Sequence, residues 1–169
     1  MATARRALAG IGQAAAAATL AAQQNDDHPA RIHSVVVANL AASFRTLAGS
    51  QENARALVEA LYEGRRVRLV GPSTAEFPAV VTAFDPPTGE MTWNDVKLAL
   101  MLARDALMAA GITRPVHQQL HAALMGGEVQ PRGRRPVALR GVLTMRAEGM
   151  NWGRVAAARY LRPAIGRLG

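Results

Sequence analysis

Few side chains in this sequence stand at spacings that could carry chemistry, and the most suggestive are His117 and His121. They lie four residues apart in HQQLH, so on a helix both imidazoles project from one face, as two zinc ligands can. No glutamate stands between them, which excludes the H-E-x-x-H pattern of zinc proteases. A third ligand is not evident beside them, although His28, His33 and Glu128 are available elsewhere. We predict a solvated or packed pair and no metal site.

The serines, glycines and carboxylates do not form a recognisable catalytic pattern. None of Ser34, Ser43, Ser50 and Ser73 stands in a G-x-S-x-G nucleophile elbow. The pair Gly126-Gly127 lacks the spacing of a phosphate-binding loop. The acidic residues are scattered, with no pair assignable as general acid and general base. The chain is therefore predicted not to be an enzyme and to require no cofactor.

Both tryptophans of the chain, Trp93 and Trp152, stand in the pattern M-x-W-x-x-V-x-x-A. In each copy a small polar residue, Thr92 or Asn151, precedes the tryptophan where it would cap a helix. The methionine before that residue can pack against the first turn of the same helix. One interpretation is convergent capping around a bulky anchor. The other is a paired surface in which both tryptophans line one groove.

The formal net charge of +8 lies entirely near the C-terminus. Residues 1–130 carry 11 basic and 11 acidic side chains, whereas residues 131–169 carry nine arginines and one acid, Glu148. Such an asymmetry is typical of contact with nucleic acid, an anionic lipid surface or an acidic protein. The alternative is a merely arginine-rich composition, since Lys97 is the single lysine.

The stretch over residues 141–161, GVLTMRAEGMNWGRVAAARYL, resembles the helix-turn-helix core of bacterial DNA-binding domains. An apolar segment runs into Glu148-Gly149, and a second helical pattern begins at Asn151-Trp152. That helix would present Arg154 to bases or phosphates, but alanines leave much of its reading face blank. Together with the tryptophans and nearby arginines, the candidate binding surface comprises Trp93, Trp152, Arg154, Arg159, Arg134, Arg135 and Arg140.

The elements that must position these residues are mostly helices. Apolar periodicity and capping residues predict helices over residues 32–47, 50–64, about 92–110 and about 114–126. Short β-branched runs over 67–70 and 79–84 predict two strands, and residues 136–139 could supply a third. We predict an α+β, mostly helical fold, with a central helix at about 92–110, a two- or three-stranded small sheet and a C-terminal helix–Gly–helix unit.

The N-terminal residues 1–24 are alanine-rich and carry no charge after Arg5-Arg6. This pattern is typical of a secretory signal, although a helix formed on alanine propensity is the alternative. Residues 25–34 are predicted to be a linker, 35–162 a single helix-rich domain and 163–169 a tail. No run is apolar enough to predict a transmembrane segment.

Several blocks are similar to an uncharacterised proteobacterial protein family whose last block reads G-M-G-W-G-Q-I-A. The matching block here is GMNWGRVA, in which Asn151 replaces a glycine and Arg154-Val155 replace Gln-Ile. The resemblance also covers GSQENA (49–54), LV (57–58), FDPPTGEM (84–91), QLHAALMGG (119–127) and GVL (141–143). It attaches no activity, and it implies an exported protein because members of that family commonly begin with signal peptides.

Taken together, the sequence predicts a non-enzymatic small binding or structural protein, with export to the periplasm favoured over the cytoplasm. The expected partner is a protein or an anionic surface. The alternative is a module that binds duplex DNA through residues 141–161. The two hypotheses predict different localisation and different dependence of binding on salt.

Overall fold

The computed structural model describes residues 30–73 and 78–158. The alanine-rich segment 1–24, Arg159 and the tail 163–169 lie outside the described residues. The chain divides into two units, Met1–Val36 and Val37–Gly169. In the first unit the described residues, 30–36, are helical, so residues 30–34 of the predicted linker belong to a helix.

In the described residues six helices and four strands follow one another. They are α1 over 30–48, α2 Gln51–Tyr62, β1 Val67–Val70, β2 Val81–Phe84, α3 Trp93–Ala109, α4 His117–Met125, β3 Gly127–Val129, β4 Val137–Leu139, α5 Val142–Ala147 and α6 Trp152–Ala158. The strands form two separate antiparallel pairs, β1 with β2 and β3 with β4. The α+β, mostly helical fold class is confirmed. No described helix has both the length and the apolar character needed to cross a membrane.

The third predicted strand forms as β4, but it does not join the first sheet. It pairs with β3, so that Gly127 faces Leu139 and Val129 faces Val137. Only seven residues, 130–136, join β3 to β4, and closing such a local hairpin costs less chain entropy than reaching a distant edge. Because β3 begins with a glycine and has no β-branched run, its sequence does not predict a strand.

Helix α3 is the central helix of the second unit, as predicted. It packs against α2, α4 and α5. The side chains that it buries recur at helical spacing and are Val96, Ala99, Leu100, Leu102, Ala103 and Leu107. Since small alanines alternate with leucines along this face, neighbouring helices can approach closely while the leucines fill the space between them.

The apolar side chains of α1 predict a buried stripe, and the structure confirms its C-terminal part, since two of its members are buried. The predicted members are Val35, Val36, Leu40, Phe44 and Leu47, of which Phe44 and Leu47 are buried. The second unit buries Val37, Ala41, Phe44 and Ala48, which recur every three or four residues. Val35, placed on the predicted stripe, is 57% exposed. Alanine carries so weak an apolar signal that periodicity alone missed Ala41 and Ala48 on the buried face.

Gly141 fixes where α5 begins. Its φ is +80°, and a Cβ at this position would lie 2.3 Å from the Gly126 nitrogen and 2.3 Å from the Met125 carbonyl carbon. Only glycine permits this conformation and this approach at low cost. One turn later the Thr144 hydroxyl donates to the Met125 carbonyl at 2.7 Å. The end of α4 thereby sets the position of α5 and the turn into α6.

Candidate functional site

The carboxylate of Asp95 joins the start of α3 to α6. Thr92 caps α3, since its hydroxyl oxygen accepts from the Asp95 amide at 3.2 Å and the hydroxyl donates to Asp95 Oδ2 at 2.8 Å. The other oxygen, Oδ1, accepts from Trp152 Nε1 at 2.5 Å. The carboxylate that completes the cap of α3 thus also holds a tryptophan from the C-terminal helix–Gly–helix unit.

The guanidinium group of Arg146 lies over the ring of the same tryptophan. Its guanidinium carbon lies 5.2 Å from the centroid of the Trp152 ring, in a cation–π contact. Its Nη1 donates to the Met150 carbonyl at 3.1 Å, which braces the turn between α5 and α6. Trp152 is half-buried and packs against the core. Arg146 belongs to the helix-turn-helix-like stretch, and its side chain therefore makes contacts within the fold.

The groups around Asp95 keep its carboxyl group ionised. Burial raises the pKa of its carboxyl, but hydrogen bonds from Trp152 and Thr92 and the positive charge of Arg146 outweigh that effect. The net pKa lies below the ordinary value of 3.8. Asp95 is consequently a carboxylate at neutral pH, where it is the stronger acceptor for the indole N–H.

The second tryptophan, Trp93, lies at the start of α3, next to the capping residue Thr92. Trp93 stacks on Tyr62 with ring centroids 3.6 Å apart and an angle of 5° between the rings. Just before it, Met91 is buried, and its amide donates to the Tyr62 carbonyl at 3.1 Å. The end of α2 is thereby fastened to the start of α3, and both aromatic residues line the adjacent surface.

Two adjoining cavities follow these rings, and we call them together the tryptophan groove. The first has a volume of about 520 Å³ and is lined by Tyr62, Glu63, Glu90, Met91, Thr92 and Trp93. The second has a volume of about 300 Å³ and is lined by Pro87, Thr88, Glu90, Met91, Asp95, Arg146, Ala147 and Trp152. Because Glu90 and Met91 line both cavities, the structure places the two tryptophans along one groove.

The tryptophan groove is acidic in a basic chain. Three carboxylates, those of Glu63, Glu90 and Asp95, line it against one guanidinium, that of Arg146. Glu63 pairs with Arg65, and Asp95 is held by Trp152. Glu90 is exposed, and within the described residues it has no ion pair. Its charge is therefore the one most available to a ligand.

Two arginines of the candidate surface, Arg134 and Arg135, lie away from the tryptophan groove. A Cβ placed on Gly111 would lie 3.1 Å from Arg134 Nη1, so this guanidinium covers the turn that follows α3. The 17 residues of α3 separate that turn from Trp93 by roughly 25 Å, at about 1.5 Å per residue. The β3–β4 turn, which carries Arg134 and Arg135, therefore forms a second charged region at the opposite end of α3.

The remaining arginines of the predicted surface are dispersed. Arg140 pairs with Glu148 at 3.5 Å. Arg154 is exposed on α6, and its backbone amide donates to the capping side chain of Asn151 at 2.9 Å. Arg159 lies outside the described residues. The two tryptophans thus line one groove, and none of the described arginines of the predicted surface lines it.

His117 and His121 share a helix face but have different neighbours. His117 Nε2 lies 3.1 Å from Asn53 Nδ2, whereas the His121 ring meets the Phe84 ring edge-on at 5.2 Å. Across residues 30–73 and 78–158, no three His, Cys, Asp or Glu side chains are grouped so as to hold a metal ion.

Sequence reasoning missed Asn53, Glu90 and Arg146. Asn53 is 5% exposed, and its side chain both accepts from the Val70 amide and donates to the Val70 carbonyl, each at 2.9 Å. Nothing in the sequence marks this asparagine as buried. For Glu90 a signal existed, since it directly precedes the repeated methionine pattern.

Comparisons with family models, curated proteins and solved structures find no match to this chain. The resemblance to the proteobacterial family remains a prediction carried by GMNWGRVA and the blocks before it.

Proposed function

We propose that this chain is a non-enzymatic binding protein whose tryptophan groove holds a segment of a protein partner. The segment carries at least one arginine or lysine side chain. One observation carries this proposal, namely an acidic groove bordered by aromatic rings on a chain whose formal net charge is +8. Because the region differs in charge from the rest of the chain, it favours a cationic partner.

The charge of Glu90 supplies the electrostatic part of the recognition. This carboxylate lines both cavities of the tryptophan groove, and no guanidinium pairs with it in the described residues. A basic side chain entering from either cavity can reach it. Bidentate contact with an arginine would be the strongest form of that pairing.

The second part of the recognition is a cation–π contact, of the kind that Arg146 already makes with Trp152. A guanidinium of the chain itself already lies over an indole ring in this groove, at 5.2 Å from its centroid. The faces of indole and phenol rings attract cations electrostatically. An incoming guanidinium or ammonium group can therefore gain from both an aromatic face and a carboxylate.

The dimensions of the groove favour a short segment over a folded surface. Its two cavities, about 520 and 300 Å³, fall within the range of roughly 300–1,000 Å³ that is typical of ligand sites. Each can take one large side chain, and their adjoining position can take neighbouring residues of one extended strand. We therefore expect peptides to reproduce the partner's contacts.

Intrinsic fluorescence tests the proposal directly, because both tryptophans of the chain border the groove. The full chain is titrated with a pentapeptide in which arginines alternate with glycines, and with a matched peptide carrying glutamates. We expect a saturable fluorescence change with the arginine peptide alone. Glu90→Gln should weaken that binding about three- to fivefold, the effect of an exposed charge pair worth about 0.6–1 kcal/mol.

Glu128→Gln is the matched control, since Glu128 is an exposed glutamate in β3 and does not line the groove. It removes the same charge and should leave the affinity unchanged. Equal binding of both peptides, or equal loss in both variants, would show that only net charge matters and would contradict a specific groove.

Duplex DNA remains the second candidate partner, and one observation favours it. Arg154 is exposed on α6 and makes no ion pair among the residues described. If residues 141–161 read DNA, a fluorescent duplex should bind at low salt and dissociate steeply as salt rises. Arg154→Gln should then reduce the slope of log K against log salt by about one. A flat salt dependence removes this candidate.

A further inference from the structure

A third cavity lies at the opposite end of α3 from the tryptophan groove. Its volume is about 490 Å³. It is formed by the connection from α3 to α4, the first turn of α4 and the turn from β3 to β4. The lining residues are Gly111, Ile112, Thr113, Arg114, Val116, Gln119, Gln130, Pro131 and Arg132.

The walls of this cavity are fixed by hydrogen bonds and burial. The Ile112 amide donates to the Leu107 carbonyl at 2.8 Å, and the Ile112 side chain is buried. On the opposite wall, Gln130 Nε2 donates to the Arg134 carbonyl at 2.6 Å. Gln119 reaches across from α4, with its Nε2 3.5 Å from the Gln130 carbonyl. The cavity is thus a feature of the fold rather than a gap between loose loops.

The charges at this cavity are all positive. Arg114 and Arg132 line it, and Arg134 lies at its edge over Gly111. The lining includes no acidic side chain. Within the described residues none of these three arginines has an ion pair. Guanidinium groups gathered without a carboxylate repel one another, so a bound anion would lower the electrostatic energy of the folded chain.

The hydrogen-bond donors that line this cavity determine which kind of anion it can bind. A guanidinium presents paired N–H groups that match two oxygens of a phosphate, and two arginines can hold one phosphate from different sides. The Thr113 hydroxyl is a further donor in the lining. Ile112, Val116 and Pro131 give the same cavity apolar walls. These walls offer contact for an organic group attached to the phosphate.

We propose that this cavity binds a small phosphomonoester of about nucleotide size, with its phosphate on Arg114 and Arg132. The volume suits a nucleoside monophosphate or a sugar phosphate. The site is independent of the tryptophan groove, because no residue lines both and the length of α3 separates them. The chain then carries an acidic binding region at one end of α3 and a phosphate-binding region at the other.

Calorimetric titration of the full chain with AMP, ribose 5-phosphate, inorganic phosphate and adenosine tests this site. We expect AMP or ribose 5-phosphate to bind more tightly than inorganic phosphate, and adenosine not to bind. Arg114→Gln and Arg132→Gln should each weaken binding about tenfold, the loss of one charge-assisted contact. Both side chains are exposed, so both variants should fold with an unchanged circular dichroism spectrum.

Arg45→Gln is the matched control, because Arg45 is an exposed arginine of α1 and does not line the cavity. It should keep the affinity of the natural chain. Three results would overturn the proposal. They are absence of binding by both phosphomonoesters at millimolar concentration, equal weakening by all three variants, and binding of duplex DNA without binding of any small phosphate.

Discussion

The hydrogen bond from Trp152 to Asp95 predicts a measurable coupling between the two side chains. The perturbation is a double-mutant cycle in which Trp152→Phe and Asp95→Ala are made singly and together. Phenylalanine keeps an aromatic ring beside Arg146 but has no N–H to donate. Alanine removes the carboxylate and retains high helix propensity near the start of α3.

The geometry sets the magnitude of this coupling. The donor and acceptor atoms are 2.5 Å apart, and the acceptor is a carboxylate. Hydrogen bonds to charged groups contribute about 1.5–3 kcal/mol when they are shielded from water. Both side chains are only half-buried, so competition from water should lower the coupling to about 1 kcal/mol. Trp152→Phe alone should cost about 2 kcal/mol, because it also loses buried ring surface and part of the cation–π contact.

Urea denaturation followed by far-ultraviolet circular dichroism measures the four free energies of unfolding without relying on tryptophan emission. A control cycle that combines Trp152→Phe with Glu128→Ala should be additive, since Glu128 lies in β3 and does not line the tryptophan groove. A Trp152–Asp95 coupling below about 0.3 kcal/mol would mean that the bond does not hold α6 against α3. The positioning of the tryptophan groove would then need another cause.

Two further predictions concern stability. Asn53→Ala should lower the free energy of unfolding by about 2–4 kcal/mol, because it removes two bonds to Val70 at 2.9 Å and one to the Ala48 carbonyl at 3.3 Å from a buried position. The control is Asn39→Ala, an exposed change in α1 that should leave the urea midpoint unchanged. A loss of stability below about 1 kcal/mol in Asn53→Ala would contradict the role assigned to the Asn53 side chain. The second prediction is loss of stability in acid. The pKa of Asp95 in the folded chain lies below its ordinary value of 3.8, so as pH falls the unfolded chain takes up the proton first. The stabilisation from Asp95 is therefore complete above that ordinary pKa and is lost as pH falls through the lower folded value. Asp95→Ala should remove this part of the acid dependence of unfolding, and an identical pH profile in the variant would contradict it.

Helix boundaries could be predicted well from the sequence, because the groups that set them are local. Thr92 caps α3 and Gly111 follows its end, and the observed helix Trp93–Ala109 agrees with the predicted span of about 92–110. The polar residues before both tryptophans act as caps for the same local reason. Such signals act within four residues along the chain.

Pairing and burial could not be predicted in the same way. The sequence predicted the strand over residues 136–139 but did not predict its partner β3, because short strands carry little sequence signal. In α1 the prediction favoured Val35 over Ala41 because valine is the larger apolar residue, whereas only Ala41 is buried. Both errors arise because the packing surface of an element depends on what lies opposite to it.

The sequence by itself determined the helical content, the caps of α3 and α6 and the excess of arginine near the C-terminus. Only the tertiary structure decided which of these features share a site. It brings Trp152 to Asp95 across 57 residues of sequence. It also leaves Arg134 at the far end of α3 from Trp93. The physical reason is that capping and periodicity act between residues close in sequence, whereas the second cavity of the tryptophan groove forms only where α5 and α6 meet the start of α3.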